Sequence, residues 1–410
     1  MCIRDSRDNE KRPKKKSSTG VYDDNTSTYR IFSRAFCNFV FPPTIERPTP
    51  KKGEEVELTK DNITNEELVD GANSTAIVNN VDGRYTMDDV QEVQKNLDTL
   101  TDKSYNERID DALRELNTDA GNYFTKEALE TYSPKFLEIV NNLTKLDDSD
   151  KGSETPYYYK GSHLVYSQFR TIEGIGILKL ILDYHNYTQF KIIKNSAGEW
   201  NVNIAETDRS KPTYILYTGT ETAEEKEILR EVFNGNWDNI PVGIRDYVSS
   251  ISTTYPKNTM GEIIRVFMIT SSGAEGIDLK NVRWVHITEP YWHPVRINQV
   301  IGRALRICSH KDLPPEYQTV NVFLYLMKFS QSQLEGDLSV ELLKSVGDRS
   351  KIDPAVVFTS DQTLYEICNL KLTVQEQLLR AIKESAMDCA LHTSTNNDEQ
   401  LVCFNYSQNL

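Results

Sequence analysis

The chain has 410 residues, and its 61 acidic side chains outnumber 47 basic ones for a net charge of −14. That length accommodates two or three domains, and the negative charge argues against bulk electrostatic coating of nucleic acid while leaving room for a local basic cleft. No apolar run approaches the ~18 residues of a membrane span.

Residues 1–50 contain the basic run Lys11-Arg12-Pro13-Lys14-Lys15-Lys16, which reads either as a solvated linker or as a phosphate contact. The acidity is concentrated in residues 51–150, with 24 acidic and 11 basic side chains; residues 151–330 are near balance, with 19 and 20. Lys51–Asn80 is poor in aromatic residues, which predicts a mobile stretch. Met87–Leu116 and Ala128–Leu143 space their Leu, Ile, Val and Phe among charges as helices do. They predict a small helical subdomain that packs on its neighbour or binds a partner. Its separate charge balance predicts that residues 51–150 are dispensable for the folding of residues 155–410.

From His163 strands and helices alternate. His163–Phe169 reads as a strand with a polar tip, and Ile172–Leu182 as an apolar helix. Tyr214–Gly219 is a second strand with a polar end. A charged helix opens after Thr222, with Glu224 and Glu225 suited to its N-terminal dipole. Ile264–Thr270 is an apolar, β-branched strand running into the small residues Ser271-Ser272-Gly273-Ala274-Glu275-Gly276-Ile277-Asp278. Trp284–Thr288 is another strand. Pro290-Tyr291-Trp292-His293-Pro294 then leads into a helix that Pro294 can open. Val320–Met327 reads as the last core strand. Alternation of this kind predicts a parallel sheet covered on both faces.

Ligands of such sheets sit at the carboxyl ends of the strands. Thr270 and Ser271 there offer hydroxyls and backbone N–H groups to a phosphodiester, and Asp278 offers a carboxylate to a ribose hydroxyl. In the helix after Pro294, Gln299, Arg303 and Arg306 fall at i, i+4 and i+7 and so on one face. Val300, Ile301, Ala304 and Leu305 pack the other side, and Gly302 permits close approach. Two guanidiniums with fixed donor forks suit a triphosphate. The bland alternative is an amphipathic helix with solvated arginines.

Taken together, Tyr166-Ser167-Gln168-Phe169, Tyr217-Thr218-Gly219, the Ser271–Leu279 loop and Gln299-Val300-Ile301-Gly302-Arg303-Ala304-Leu305-Arg306 resemble the second RecA-like lobe of superfamily-two helicases of Swi/Snf type. His293 stands where that branch usually has Asn. Ser27–Arg34, Cys37-Asn38-Phe39-Val40-Phe41-Pro42 and Arg47-Pro48 resemble the inter-lobe linker of large-DNA-virus ATPases related to the poxvirus early transcription factor small subunit and nucleoside triphosphatase I. Leu378–Leu391 is similar to their C-terminal helical region. The resemblance covers most of the chain but little of Lys51–Asp150.

The resemblance implies an α/β, RecA-like parallel sheet with an acidic helical insert and a helical C-terminal extension. The corresponding divisions are an inter-lobe linker at 1–50, the insert at 51–150, the lobe at 151–330 and the extension at 331–410. It implies Arg303 and Arg306 as catalytic arginines, with Gly276, Asp278 and Gln299 on the nucleotide side. Ser167, Thr218, Gly219, Thr270 and Ser271 would face nucleic acid, in the first instance DNA. No Gly-Lys dipeptide occurs, so there is no phosphate loop, and the one Asp-Glu pair, Asp398-Glu399, lies in a polar tail. ATP and Mg2+ are therefore expected mainly on a first lobe outside this chain, which is expected to be the C-terminal half of the enzyme and inactive alone. Partners implied are nucleic acid, that first lobe and viral RNA polymerase or transcription factor subunits, in a virion or a cytoplasmic virus factory. The alternative is a non-catalytic module that recruits transcription partners. Six cysteines without Cys-x-x-Cys spacing argue against a locally built zinc site and fit a reducing compartment. Six scattered histidines form no metal pattern.

Overall fold

The computed structural model describes residues 31–48, 104–148, 161–251, 258–270, 276–335, 349–389 and 401–404. The basic run at 11–16, the stretch 51–103 and Ser271 lie outside the described residues.

Six strands form one sheet: β1 (Ser162–Tyr166), β2 (Thr188–Gln189), β5 (Thr213–Tyr217), β6 (Val266–Ile269), β7 (Val282–Ile287) and β8 (Asn321–Leu324). All pair in parallel, in the order β2-β5-β6-β1-β7-β8. Every residue of β1, β6 and β7 is buried, because helices cover both faces. The two-residue period of a strand then divides the apolar side chains between two cores. Leu164, Tyr166, Phe267 and Ile269 face one core, and Val165, Val266 and Met268 face the other. The parallel, doubly covered sheet predicted from the alternation is thus the observed fold. β8, expected as a core strand, is instead an edge strand with Asn321 and Val322 exposed, and only Tyr325 beyond it is buried. A short hairpin of β3 (Ile192–Lys194) and β4 (Trp200–Val202) was not legible in advance.

The first core is closed by α7 (Ala223–Asn234), α8 (Val242–Ile251) and α9 (Pro294–Ala304), through residues such as Leu229, Phe233, Val248 and Val300. Thr222 caps α7 by accepting from the Glu225 N–H, and Gly235 ends it in the left-handed conformation that glycine adopts without strain.

The second core shows the helices of the acidic stretch packed on the lobe, one of the two expected arrangements, and argues against their being dispensable for its folding. It contains α6 (Ile175–Tyr184), as foreseen, but also α2 (Tyr105–Thr118), α4 (Lys126–Tyr132) and α5 (Pro134–Asp148), with the short α3 (Ala120–Tyr123) between. Leu116, Phe124, Leu129, Phe136, Ile139, Val140 and Leu143 are completely buried there, in one cluster with Val165, Leu178 and Met268. The helical part of the acidic stretch is therefore a layer of the lobe. Charge balance misled because acidic residues occupy the outer faces of these helices while their apolar stripes meet the sheet. The Leu–Ile–Val–Phe spacing was the better guide.

A polar thread crosses the same boundary. Asn142 of α5 donates to the Tyr325 hydroxyl (3.0 Å), which lies 2.7 Å from His286 Nδ1, and His286 Nε2 lies 3.0 Å from His163 Nδ1. Both histidines are fully buried, and burial holds both below the usual imidazole range, His286 at about 3.

The C-terminal region contributes α10 (Gln331–Glu335) and the long α11 (Ser360–Ser385), opened by a Thr359–Gln362 capping box. Cys389 and Cys403 are joined in a disulfide, which the expectation of a reducing compartment does not anticipate. Their separation of 14 residues gave no spacing signal for it. Among the described residues no helix is long and apolar enough to cross a membrane. The α1 helix (Ile31–Asn38) lies between α5 and α11.

This packing has two measurable consequences. Phe136→Ala removes a completely buried ring from the shared core, and should cost about 3–5 kcal/mol and lower the melting temperature of the whole chain. An unchanged transition would show that the helices do not belong to the lobe. For the histidines, an unfolded imidazole titrates near 6.5 but native His286 near 3, so protons bind the unfolded state first as pH falls through that window. Stability should drop by about 1.4 kcal/mol per pH unit per neutral histidine below the unfolded value. Urea midpoints at neutral pH and at about pH 5 measure this, and a flat response would contradict it.

Candidate nucleotide and nucleic-acid faces

Parallel registers align the carboxyl ends of the central strands. Tyr217 pairs with Ile269, Ile269 with Tyr166, and Tyr166 with Ile287. The next residue on each strand therefore forms a row: Thr218, Thr270, Ser167 and Thr288. Thr270 Oγ1 donates to the Thr218 carbonyl (3.3 Å), and the Ser167 N–H to the Ile269 carbonyl (3.2 Å). All four side chains are buried beneath the edge. Three residues expected to face nucleic acid are thus brought together, with Gly219 beside Thr218. Ser271, the next in line, lies outside the described residues.

Ser167 is committed elsewhere. Its hydroxyl donates to Glu289 Oε1 (2.6 Å), and the Gln168 N–H donates to Glu289 Oε2 (2.8 Å). Glu289 follows β7 and is 2% exposed. Burial raises its pKa; Lys135, Ser167, the Gln168 amide and Asn38 oppose that shift. Asn38, at the end of α1, donates to Glu289 Oε1 (2.5 Å) and to the Glu173 carbonyl (2.9 Å), and its own oxygen accepts from Lys135 Nζ (2.8 Å). Lys135, from α5, pairs with Asp361 of α11 at 2.5 Å, with side chains 2% and 0% exposed. Asp361 in turn accepts from the Met327 N–H (3.1 Å). Arg34 reaches Gln168, and Arg47 grips Glu173 at 2.5 and 3.1 Å. Cys37, one residue from Asn38, is buried, and its thiol is pushed up to about 12, so it stays protonated.

None of Asn38, Lys135, Glu289 and Asp361 was among the expected site residues. A sequence signal existed for Glu289: a lone carboxylate at the end of an apolar strand demands a partner. Asn38 lay inside the quoted linker motif without an assigned role. Lys135 and Asp361 are 226 residues apart and gave no signal.

The arginine face is built from α9 and the loop before β7. His293 stands at the N-cap without a side-chain cap, and Pro294 opens the helix as expected. Lys371 of α11 lies 3.8 Å from the Trp292 ring centroid, and Arg296 4.8 Å from that of Tyr291, fixing the approach to the helix. Gln299 and Arg303 lie on α9 as anticipated. Arg306 does not share their helical face, because α9 ends at Ala304. Ser309 terminates it: its hydroxyl takes the Ala304 carbonyl (3.0 Å) and its N–H the Arg306 carbonyl (3.0 Å). Leu305, expected to pack, is exposed in the turn.

That turn carries Arg306 back onto the expected nucleotide loop. Its guanidinium pairs with Asp278 and also donates to the Ile277 carbonyl (3.4 Å), while the Leu279 N–H donates to the Arg303 carbonyl (3.3 Å). Arg306 and Asp278 are thus paired against a loop whose Leu279 is tied to the backbone of Arg303, with Gly276 two residues before Asp278 in a left-handed conformation. Gln299 sits exposed on α9. The Arg306–Asp278 side chains are 42% and 63% exposed, so the pair contributes at most ~1 kcal/mol and yields readily to a better anion. Arg303 Nε is enclosed without a hydrogen-bond partner. A β-carbon on Gly302 would meet nothing within 4 Å, so that flank of α9 faces open space and not a close neighbour. This donor set fits an oxyanion carried by another body; among the described residues no group of three or more His, Cys, Asp or Glu is placed to hold a metal ion.

Breaking the buried ion pair tests the first cluster. Lys135→Ala should destabilise by about 3–5 kcal/mol by leaving the Asp361 charge uncompensated, and Lys135→Met with Asp361→Leu should recover most of it. Equal denaturation midpoints for the parent and Lys135→Ala would show that the pair is not buried.

Residues 200–308 match the helicase conserved C-terminal domain. The chain is 24% identical over 394 residues to a putative ATP-dependent RNA helicase of Acanthamoeba polyphaga mimivirus, covering 93% of this chain and 42% of that protein. It is 27% identical over 295 residues to a termination factor NPH-I homolog of African swine fever virus, covering 70% of this chain and 36% of that protein. The C-terminal part of the Fun30 ATPase domain aligns at 15% identity with a TM-score of 0.32, over 58% of this chain and 54% of that one. The chain thus spans less than half the length of these two viral relatives. Residues 200–308 are similar to the helicase conserved C-terminal domain, and these two viral relatives are a putative RNA helicase and an NPH-I termination factor homolog.

Proposed function

We propose that this chain is the arginine-supplying lobe of an ATP-dependent nucleic-acid translocase of Swi/Snf type serving viral transcription. The observation that carries the reading is the docking of the Arg306 guanidinium on the Gly276–Leu279 loop just beyond the end of α9, with that loop also tied to the Arg303 backbone. A triphosphate and its Mg2+, held on a phosphate-loop lobe, would meet these arginines across a cleft. Asp278 holds the Arg306 guanidinium in the free lobe; a phosphoryl group developing charge is the stronger partner. Gln299 orients the approach from one turn earlier. The row of Thr218, Gly219 and Thr270 takes the backbone of nucleic acid, DNA in the first instance, with Ser271 assigned the same role from its sequence position alone. Ser167 acts beneath it by holding Glu289. Closure on ATP and reopening after hydrolysis would move the strand stepwise.

The absence of a phosphate loop from the 410 residues supports the C-terminal half as the part in hand, and so does the 36–42% of the relatives' length that it spans. The viral relatives support a virion or cytoplasmic virus-factory setting, with polymerase or transcription factor subunits as partners.

The purified chain should hydrolyse no ATP, with or without nucleic acid. In the two-lobe protein, Arg306→Ala should lower turnover by about 3–5 orders of magnitude if it is the arginine finger, while nucleic-acid affinity without ATP stays near that of the parent. Arg303→Ala should behave similarly and also weaken ATP binding. Steady-state hydrolysis and anisotropy measure both quantities. Near-normal turnover in Arg306→Ala would contradict the finger assignment and favour a recruiting module.

A further inference from the structure

The loop after β5 is already holding an anion. Glu221 folds back so that its carboxylate accepts four hydrogen bonds from three residues. Oε2 takes the backbone N–H groups of Thr218 (2.9 Å) and Gly219 (3.1 Å). Oε1 takes the hydroxyls of Thr218 (3.2 Å) and Thr220 (3.0 Å). Gly219 has φ of +101°, a conformation glycine adopts without strain, and it turns its N–H toward the same carboxylate oxygen as that of Thr218. Two successive amides facing one oxygen form a concave anion nest, and the two hydroxyls supply a second seat beside it.

The position of this nest matters. Thr218 is first in the row of strand-end residues, tied to Thr270 through its carbonyl. A tetrahedral phosphodiester presents two charged oxygens, as a carboxylate does, so one chemistry satisfies both. The next acidic side chains are engaged or offset. Glu224 is taken by Lys194 (2.7 Å) and the Trp200 indole N–H (2.7 Å), and Glu225 lies on α7 beyond the Thr222 cap. Lys226 Nζ stands 5.4 Å from the Tyr217 ring centroid and gives the flank a cation.

We infer that the Thr218–Thr220 loop is a site for one backbone phosphate of nucleic acid, and that Glu221 occupies it in the free lobe as an internal phosphate surrogate. The inference rests on the nucleic-acid reading of this edge and adds its occupant and its gate. Binding exchanges one oxyanion for another in the same four donors. Glu221 therefore sets the affinity and rejects polyanions too weak to displace it.

The test is anisotropy of a fluorescently labelled DNA, single-stranded and duplex, with the purified chain and no ATP. Glu221→Gln leaves the amides without a carboxylate partner and should bind about tenfold more tightly, which corresponds to about 1.4 kcal/mol. Glu225→Gln makes the same charge change four residues along the chain, outside the nest, and should bind like the parent. Glu221→Asp keeps the charge on a shorter side chain and should also tighten binding. Equal or weaker binding by Glu221→Gln and Glu221→Asp, with a parent that binds, overturns the inference and leaves the nucleic-acid reading standing. Equal gains in Glu221→Gln and Glu225→Gln reduce the effect to net charge and overturn it as well. No binding by any of the four proteins removes the nucleic-acid reading, and the inference with it.

Discussion

The interaction on which the rest depends is the amide of Asn38. Its two N–H groups go to the Glu289 carboxylate and the Glu173 carbonyl, and its oxygen goes to Lys135. Few side chains can bridge a buried anion and a buried cation without carrying charge. Around it, segments far apart in the chain are fixed: α1, the start of α5, the end of β7, the polar tip after β1 and, through Lys135–Asp361, the start of α11. A buried charge costs several kcal/mol unless paired, so each group in the hub holds the others in place. The sheet alone would leave the Gln168 and Met327 amides without these carboxylate partners. The hub also pins the start of α5, since Lys135 directly precedes the apolar stripe of Phe136, Ile139 and Val140 that holds the helical layer on the sheet.

The two anion-facing sites share one device. At the nucleotide face, Asp278 holds Arg306; at the strand edge, Glu221 fills the Thr218–Gly219 nest. In each the chain supplies its own carboxylate to donors suited to phosphate. Such contacts spare the free lobe the cost of unsatisfied donors and yield to a ligand with more charge. The Arg306–Asp278 pair is exposed and Glu221 half-buried over a buried Thr218, whereas Asn38 and its carboxylate and ammonium partners are enclosed.

The strand runs were legible because buried parallel strands read as apolar blocks, and Ile264–Thr270 and Trp284–Thr288 correspond to β6 and β7. The arginine helix was legible from Pro294 and from the Gln299–Arg303 spacing. Its end was not. A helical repeat carries no information about where a serine will take the last carbonyl, and the turn at Ser309 moved Arg306 off the expected face. The acidic stretch misleads for a related reason: net charge sums over a segment, while packing depends on which face of each helix the charges occupy. The hub was invisible because its members come from distant parts of the sequence, and no local pattern marks a lysine that will meet an aspartate 226 residues later. The Glu221 contacts span only one to three residues. They went unseen because Thr-Gly-Thr-Glu resembles many loops before a helix.

Native-state hydrogen exchange measures the hub most directly. Two amides report on it, Gln168 N–H on Glu289 and Met327 N–H on Asp361. Neither bonds to Asn38. If Asn38 fixes both carboxylates, these amides exchange only through large-scale unfolding in the parent, and both speed up by orders of magnitude in Asn38→Ala while amides within β6 stay protected. Fast exchange of either amide in the parent, or no acceleration in the variant, would contradict the hub.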